Sequence, residues 1–145
     1  MGTPLEVAAR ITVPAGPEQV WQAVIDWPRQ REWIPATRVT GGQGVGAEVT
    51  GWTGLGPAGF TDRMVITEWE PPRRCVVSHT GRVVRGTGVF EVIPQGAASE
   101  FRWAEHLQLP LPPAAGKAVT PLLRPIARWG LALALRRFAR LFAPS

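Results

Sequence analysis

Side chains able to do acid–base or nucleophilic chemistry are few in this 145-residue chain: two histidines, one cysteine, no tyrosine and eleven carboxylates. No HExxH, GxSxG or phosphate-loop spacing organises them. GRVVRG (81–86) lacks the glycine spacing and the following Lys-Ser/Thr of a phosphate loop. Asp62 and Glu105 are the best candidates. Each sits in a stretch whose alternate residues are apolar, FTDRMVITE (60–68) and SEFRWAEHLQLP (99–110). A carboxylate turned into such an interior must find a partner or hold its proton unusually well. It could then move a proton or orient a polar ligand group. The plainer reading is a structural ion pair with Arg63, Arg82 or Arg85. His79 is a weaker candidate for a general base, since a surface position at a hairpin end is the expected one. His106 is expected on the outer face, and Cys75 as a small buried residue. A lone cysteine excludes an internal disulfide, and no spacing supports a metal site or implies a cofactor.

Several elements must position these groups. LEVAARITVP (5–14) alternates and ends at a proline, as a strand does. Pro17 and Glu18 suit the first turn of a helix, with Val20, Trp21 and Val24 at helical spacing. Asp26-Trp27-Pro28 breaks that helix, and a second short one is expected over about 28–33. From 36 to 109, six runs of β-branched and apolar residues separated by breakers predict an antiparallel meander. Within it, the glycine-rich stretch 51–59 reads as a loose flap, with Trp52 as a lid anchor or as edge packing. Residues 121–142, with Ala114 as the earliest start, read as a long helix whose first turns Pro121 and Pro125 kink or restart. One strand, two short helices, six strands and one long helix predict an α+β fold over residues 1–145. A curved antiparallel sheet of about seven strands would grip the helix and leave a cavity between them.

Alternation assigns the faces. Phe101, Trp103, Glu105 and Leu107 should turn inward, as should Phe60, Asp62, Met64 and Ile66. CVVSHT (75–80) is ambiguous; Val76, Ser78 and Thr80 are taken as the inward set. On the last helix, Leu123, Ala127, Gly130, Ala134, Phe138 and Leu141 form the stripe expected over the sheet. Its small centre leaves room for a ligand. The ligand-binding candidates are thus Phe60, Asp62, Met64, Ile66, Ser78, Thr80, Phe101, Trp103, Glu105, Ala127, Gly130 and Ala134.

WQAVIDWPRQREWIP (21–35) packs three tryptophans into fifteen residues. They are expected as wedges that hold two short helices at the mouth of the sheet: Trp21 and Trp27 inward, Trp33 at the end of the second helix. Together with the strand before it, this stretch resembles the opening of the START/Bet v 1-like superfamily, also called the polyketide cyclase/dehydrase and lipid transport family. WEPPRR (69–74) resembles that family's turn before its fifth strand. GVFEVIP through SEFRWAEHLQLP (88–110) resembles its last hairpin. The resemblance implies a helix-grip fold around a hydrophobic cavity. Receptor-like members place an acidic side chain near the position of Asp62. The fold hosts carriers, receptors and enzymes alike.

The whole positive excess lies in the C-terminal segment. From Lys117 onward there are six basic residues and no acidic one, against ten basic and eleven acidic before it. That is a local feature rather than a nucleic-acid footprint, and no aromatic-basic strand face suits stacking on bases. Leu122, Ile126, Trp129 and Leu133 form a second helical stripe, roughly opposite the first, among Arg136, Arg137 and Arg140. A homodimer face, an anionic membrane surface and the chain's own loops are its three expected partners. No apolar run reaches the roughly 18 residues of a membrane span, and no signal peptide is read at the N-terminus. Cytoplasmic residence is the simplest fit, and one lysine against fifteen arginines is a bias that a GC-rich bacterial genome produces.

The expected function is binding or carriage of a small hydrophobic ligand, such as a lipid or polyketide. One alternative is an aromatic polyketide cyclase or dehydratase using a pocket acid–base group. The absence of tyrosine weighs against it, since such enzymes line their pockets with polar and tyrosine side chains. The other alternative is an interaction protein that docks through its last helix.

Overall fold

A computed structural model describes residues 2–143. Seven strands form one antiparallel sheet: β1 (Thr3–Val13), β2 (Thr37–Gly41), β3 (Glu48–Leu55), β4 (Ala58–Glu70), β5 (Arg74–Thr80), β6 (Arg85–Gln95) and β7 (Ala98–Leu109). The order across the sheet is β1-β7-β6-β5-β4-β3-β2. Helix α1 (Pro17–Val24) and a 3-10 helix (Trp27–Glu32) link β1 to β2, and helix α2 (Pro113–Arg140) follows β7. This is the expected helix-grip architecture, a curled sheet around a long terminal helix.

Pro17 opens α1, where its missing N–H costs nothing. Pro28 stands near the start of the 3-10 helix, and its ring sets the chain apart from α1. Helix α2 runs as one continuous helix through Pro121 and Pro125, so it does not restart there. Both prolines are exposed, so the carbonyls they leave without an intrahelical donor can bond water. Near its start, Gly116 lies against Thr3 of β1, in a space that any Cβ would overlap. The glycine-rich stretch is not a loose flap. Its residues continue β3 and β4 to a tight turn at Gly56-Pro57. Gly59 leaves space for the Trp52 ring on the outer face, so Trp52 is an edge packing residue and not a lid anchor.

One end of the grip is filled with aromatic rings. Trp33 is only 1% exposed. It meets Phe138 at 5.0 Å between ring centres, Phe101 at 5.8 Å and Trp103 at 5.9 Å, each edge to face. That geometry suits the ring quadrupoles. Trp33 is therefore more than the end of the second helix. It is the hub of the core. Trp21 stacks edge-on against Trp69 at 5.2 Å, and Trp27 donates its indole N–H to the Gly42 carbonyl at 2.8 Å. The α2 stripe seats Ala134 and Phe138 in this core as expected. Leu135 joins them, while Leu141 lies past the helix end and is exposed.

Candidate functional site

The other end of the grip is not filled. Between the sheet and α2 lies a cavity of about 750 Å³. The sheet wall contributes Phe60, Asp62, Met64, Trp103 and Glu105, and the helix contributes Ala127, Gly130 and Ala134, as the alternation and the small stripe imply. A Cβ built on Gly130 would meet nothing within 4 Å, so the helix leaves open space there. Ile66 and Phe101 face the same way but are sealed in the core and do not line the cavity.

Strand β5 reverses the expected register. Ser78 and Thr80 lie on the outer face, and Cys75, Val77 and His79 face the cavity. Pairing explains this. Residues directly opposite each other in an antiparallel pair share a face. Met64 stands opposite His79, Ile66 opposite Val77 and Trp69 opposite Cys75, with Thr67 bulged out between Ile66 and Glu68. The apolar residues of β4 thus carry the mixed residues of β5 inward with them.

His79 is therefore not a surface residue; it is 7% exposed and lies between the two carboxylates. Its Nδ1 is 2.9 Å from Asp62 Oδ1, and its Nε2 is 2.9 Å from Glu105 Oε2. Glu105 Oε1 also accepts the Trp103 indole N–H at 2.9 Å. The partner of both carboxylates is this imidazole, not Arg63, Arg82 or Arg85. Reaching Glu105 requires crossing β6, since β5 and β7 are two strand spacings apart, about 9.6 Å. Gly86 and Gly88 stand at the crossing, opposite His79 and Glu105 respectively. A methyl group on Gly88 would lie 2.9 Å from Glu105 Oε2 and 3.0 Å from Oε1. The bare strand is what lets the carboxylate lie across it.

Burial is the largest single influence on His79 and pushes its pKa down. The hydrogen bonds to Asp62 and Glu105, with their charges, together outweigh it and raise the value from 6.5 to about 9. At neutral pH the ring is an imidazolium with both N–H groups donated, so it has no free lone pair to act as a base. Cys75 also borders the cavity, and burial pushes its thiol up to about 12, far from a thiolate nucleophile at neutral pH. His106 lies on the outer face as expected, 3.5 Å from Glu6. Among the described residues, no group of three or more His, Cys, Asp or Glu is arranged to hold a metal ion.

The second α2 stripe does not point away from the sheet. Ile126, Trp129 and Leu133 border the cavity. Ile126 and Trp129 are nevertheless 64% and 62% exposed, which places them at its mouth. Leu122 is exposed further along the same side. Among the described residues, no helix is long and apolar enough to cross a membrane.

The family model for polyketide cyclase/dehydrase and lipid transport proteins matches residues 4–143. The chain belongs to that family. Its fold is similar to the ZhuI aromatase/cyclase from Streptomyces sp. R1128, with a TM-score of 0.77, 14% identity, and 95% of this chain and 93% of that one covered. A protein from Thermus thermophilus matches with a TM-score of 0.73 and 18% identity, over 93% and 94% of the two chains. A polyketide-cyclase-like protein from Corynebacterium glutamicum matches with a TM-score of 0.65 and 20% identity, over 97% and 93%. No match was found among curated protein sequences.

Proposed function

We propose that this protein binds a small, mainly apolar molecule between its sheet and α2, with the polar end of that molecule at Asp62. The observation that carries the reading is the cavity itself. Its volume of about 750 Å³ falls in the range of roughly 300–1,000 Å³ typical of small-molecule sites. Its walls are mainly apolar, with Asp62, His79 and Glu105 converging at one place and Gln30, Thr37 and Thr53 as further polar side chains, the pattern in which apolar burial supplies affinity and polar groups supply orientation. Phe60, Ile126 and Trp129 at the mouth give a ligand its route in. The test is fluorescence titration with N-phenyl-1-naphthylamine, an uncharged probe that brightens in apolar surroundings. Saturable binding at one site per chain is expected; no saturable binding would end the reading.

A second reading, a cyclase or dehydratase, is favoured by one observation: two carboxylates hydrogen-bond one imidazole inside the cavity. Asp62 uses Oδ1 for His79 and keeps 18% side-chain exposure, and in this reading it takes a proton from a bound substrate. The imidazolium then stabilises the ionised carboxylate and does not act as the base. In assays with a poly-β-keto thioester analogue, Asp62→Asn should abolish turnover and leave binding in place. Full turnover by that variant would remove the acid–base role.

A further inference from the structure

We infer that the cavity selects its ligand by charge, accepting a polar end that donates hydrogen bonds, a hydroxyl or an amine, and rejecting a carboxylate. This rests on the ligand-site reading above and adds the chemical class of the ligand.

The argument is a count of protons and charges. Two short hydrogen bonds join Asp62, His79 and Glu105, and each needs one proton. Two carboxylates and one imidazole holding two bridging protons sum to a net charge of −1. The sum is the same whichever heavy atom each proton sits on. Among the described residues, no arginine or lysine lines the cavity to balance it. Arg63, next to Asp62 in sequence, is carried by alternation to the outer face and is exposed. Arg82 and Arg85 are exposed at the β5–β6 turn. The six basic residues from Lys117 onward also do not line it. A chain of net charge +5 therefore encloses a cavity of the opposite sign.

Hydrogen bonding points the same way. The donors of the cluster are already committed. Both imidazole N–H groups bond carboxylates, and the Trp103 indole N–H bonds Glu105. Asp62 retains acceptor capacity on its exposed side. A ligand hydroxyl can donate to it, and an ammonium donates and gains Coulomb attraction. A ligand carboxylate can only accept, meets no free donor within this cluster, and carries the same charge as the cluster in surroundings that screen it poorly; of the other polar side chains on the wall, Thr37 donates to the Pro35 carbonyl and Gln30 to the Val24 carbonyl.

The test uses three probes with one ten-carbon tail, decan-1-ol, decylammonium and decanoate, displacing N-phenyl-1-naphthylamine from the full chain at neutral pH. Decylammonium against decanoate is the decisive pair, because both give up the hydration of one full charge on binding. Decylammonium and decanol should displace the reporter at concentrations at least tenfold below decanoate, a difference of about 1.4 kcal/mol. In Asp62→Asn the cluster becomes neutral, and the gap between decylammonium and decanoate should close to within about threefold, by the same conversion. If that variant does not fold, the ranking on the unaltered chain decides alone. Reporter binding with decanoate as effective as decylammonium would overturn the charge selection and leave the ligand site standing. Failure of the reporter and all three probes to bind would overturn the ligand site, and the selection with it.

Discussion

Loss of one carboxylate beside His79 should be visible both in the ring and in the stability of the fold. The imidazole is raised from 6.5 to about 9 by its two acceptors against the opposing effect of burial. At about 1.36 kcal/mol per pH unit, that difference stabilises the folded state by about 3 kcal/mol. A raised pKa means that the folded state holds the proton more tightly than the unfolded one. The stabilisation is therefore complete below pH 6.5, declines as the pH rises, and is gone above about 9. Cys75 adds to the loss only at the alkaline end of that window and beyond it, because its thiol ionises in the unfolded chain near 9.0 and in the folded chain at about 12. Urea unfolding from about pH 6 to about pH 9 should thus lose about 3 kcal/mol, and Asp62→Asn should flatten much of that slope. A His106→Gln background leaves a single imidazole to follow by NMR, and it should titrate near 9. Gly88→Ala gives a second handle that leaves all three ionisable groups in place. Its methyl would displace the Glu105 carboxylate, and His79 should then titrate lower by about one pH unit or more, which is about 1.4 kcal/mol. An imidazole titrating at or below 6.5, or a flat stability profile across that pH range, would refute the reasoning.

Three further outcomes follow from the packing. Gly130→Leu projects into open space and replaces a poor helix former with a good one, so it should stabilise the fold by about 0.5–1 kcal/mol while abolishing N-phenyl-1-naphthylamine binding. Thermal melts and titration together check that opposition. Trp33→Ala removes the hub of the aromatic core and should cost about 3–5 kcal/mol by denaturant unfolding, without altering the relative affinities of the three ten-carbon probes. Trp129→Glu alters a mouth residue that is mostly exposed, so stability should change by less than about 0.5 kcal/mol. Sedimentation of the protein with anionic vesicles, before and after that change, tests whether the mouth meets a lipid surface.

Much of the fold is legible because its signals are local. Pro17 and Pro28 mark two helix starts, and the alternation in FTDRMVITE and SEFRWAEHLQLP turns Asp62 and Glu105 inward without reference to any neighbour. The third member of the site is not legible in that way. CVVSHT offers two faces of similar polarity, and only the pairing of β5 with β4 chooses between them. One signal was present. Gly86 and Gly88 sit within a run that otherwise reads as a strand, and an isolated strand glycine marks the close approach of another group. Neither glycine by itself tells which side chain makes that approach. The apolar stripe of Ile126 and Trp129 misleads for a related reason. Helical spacing shows that residues share a side, but the position of the cavity mouth depends on how far the sheet curls.

The bare stretch of β6 also has a mechanical consequence. At the filled end of the grip, interlocked rings hold the walls in place. At the hollow end few side chains meet, and strands in such a region would be free to splay. There Asp62, His79 and Glu105 act as a tie rod, running at right angles to the strands from β4 to β7 and passing over the two glycines. Its tension depends on a proton. In alkaline solution the rod slackens while the rings stay locked, so amide exchange should quicken at the hollow end of β5 and β7 first.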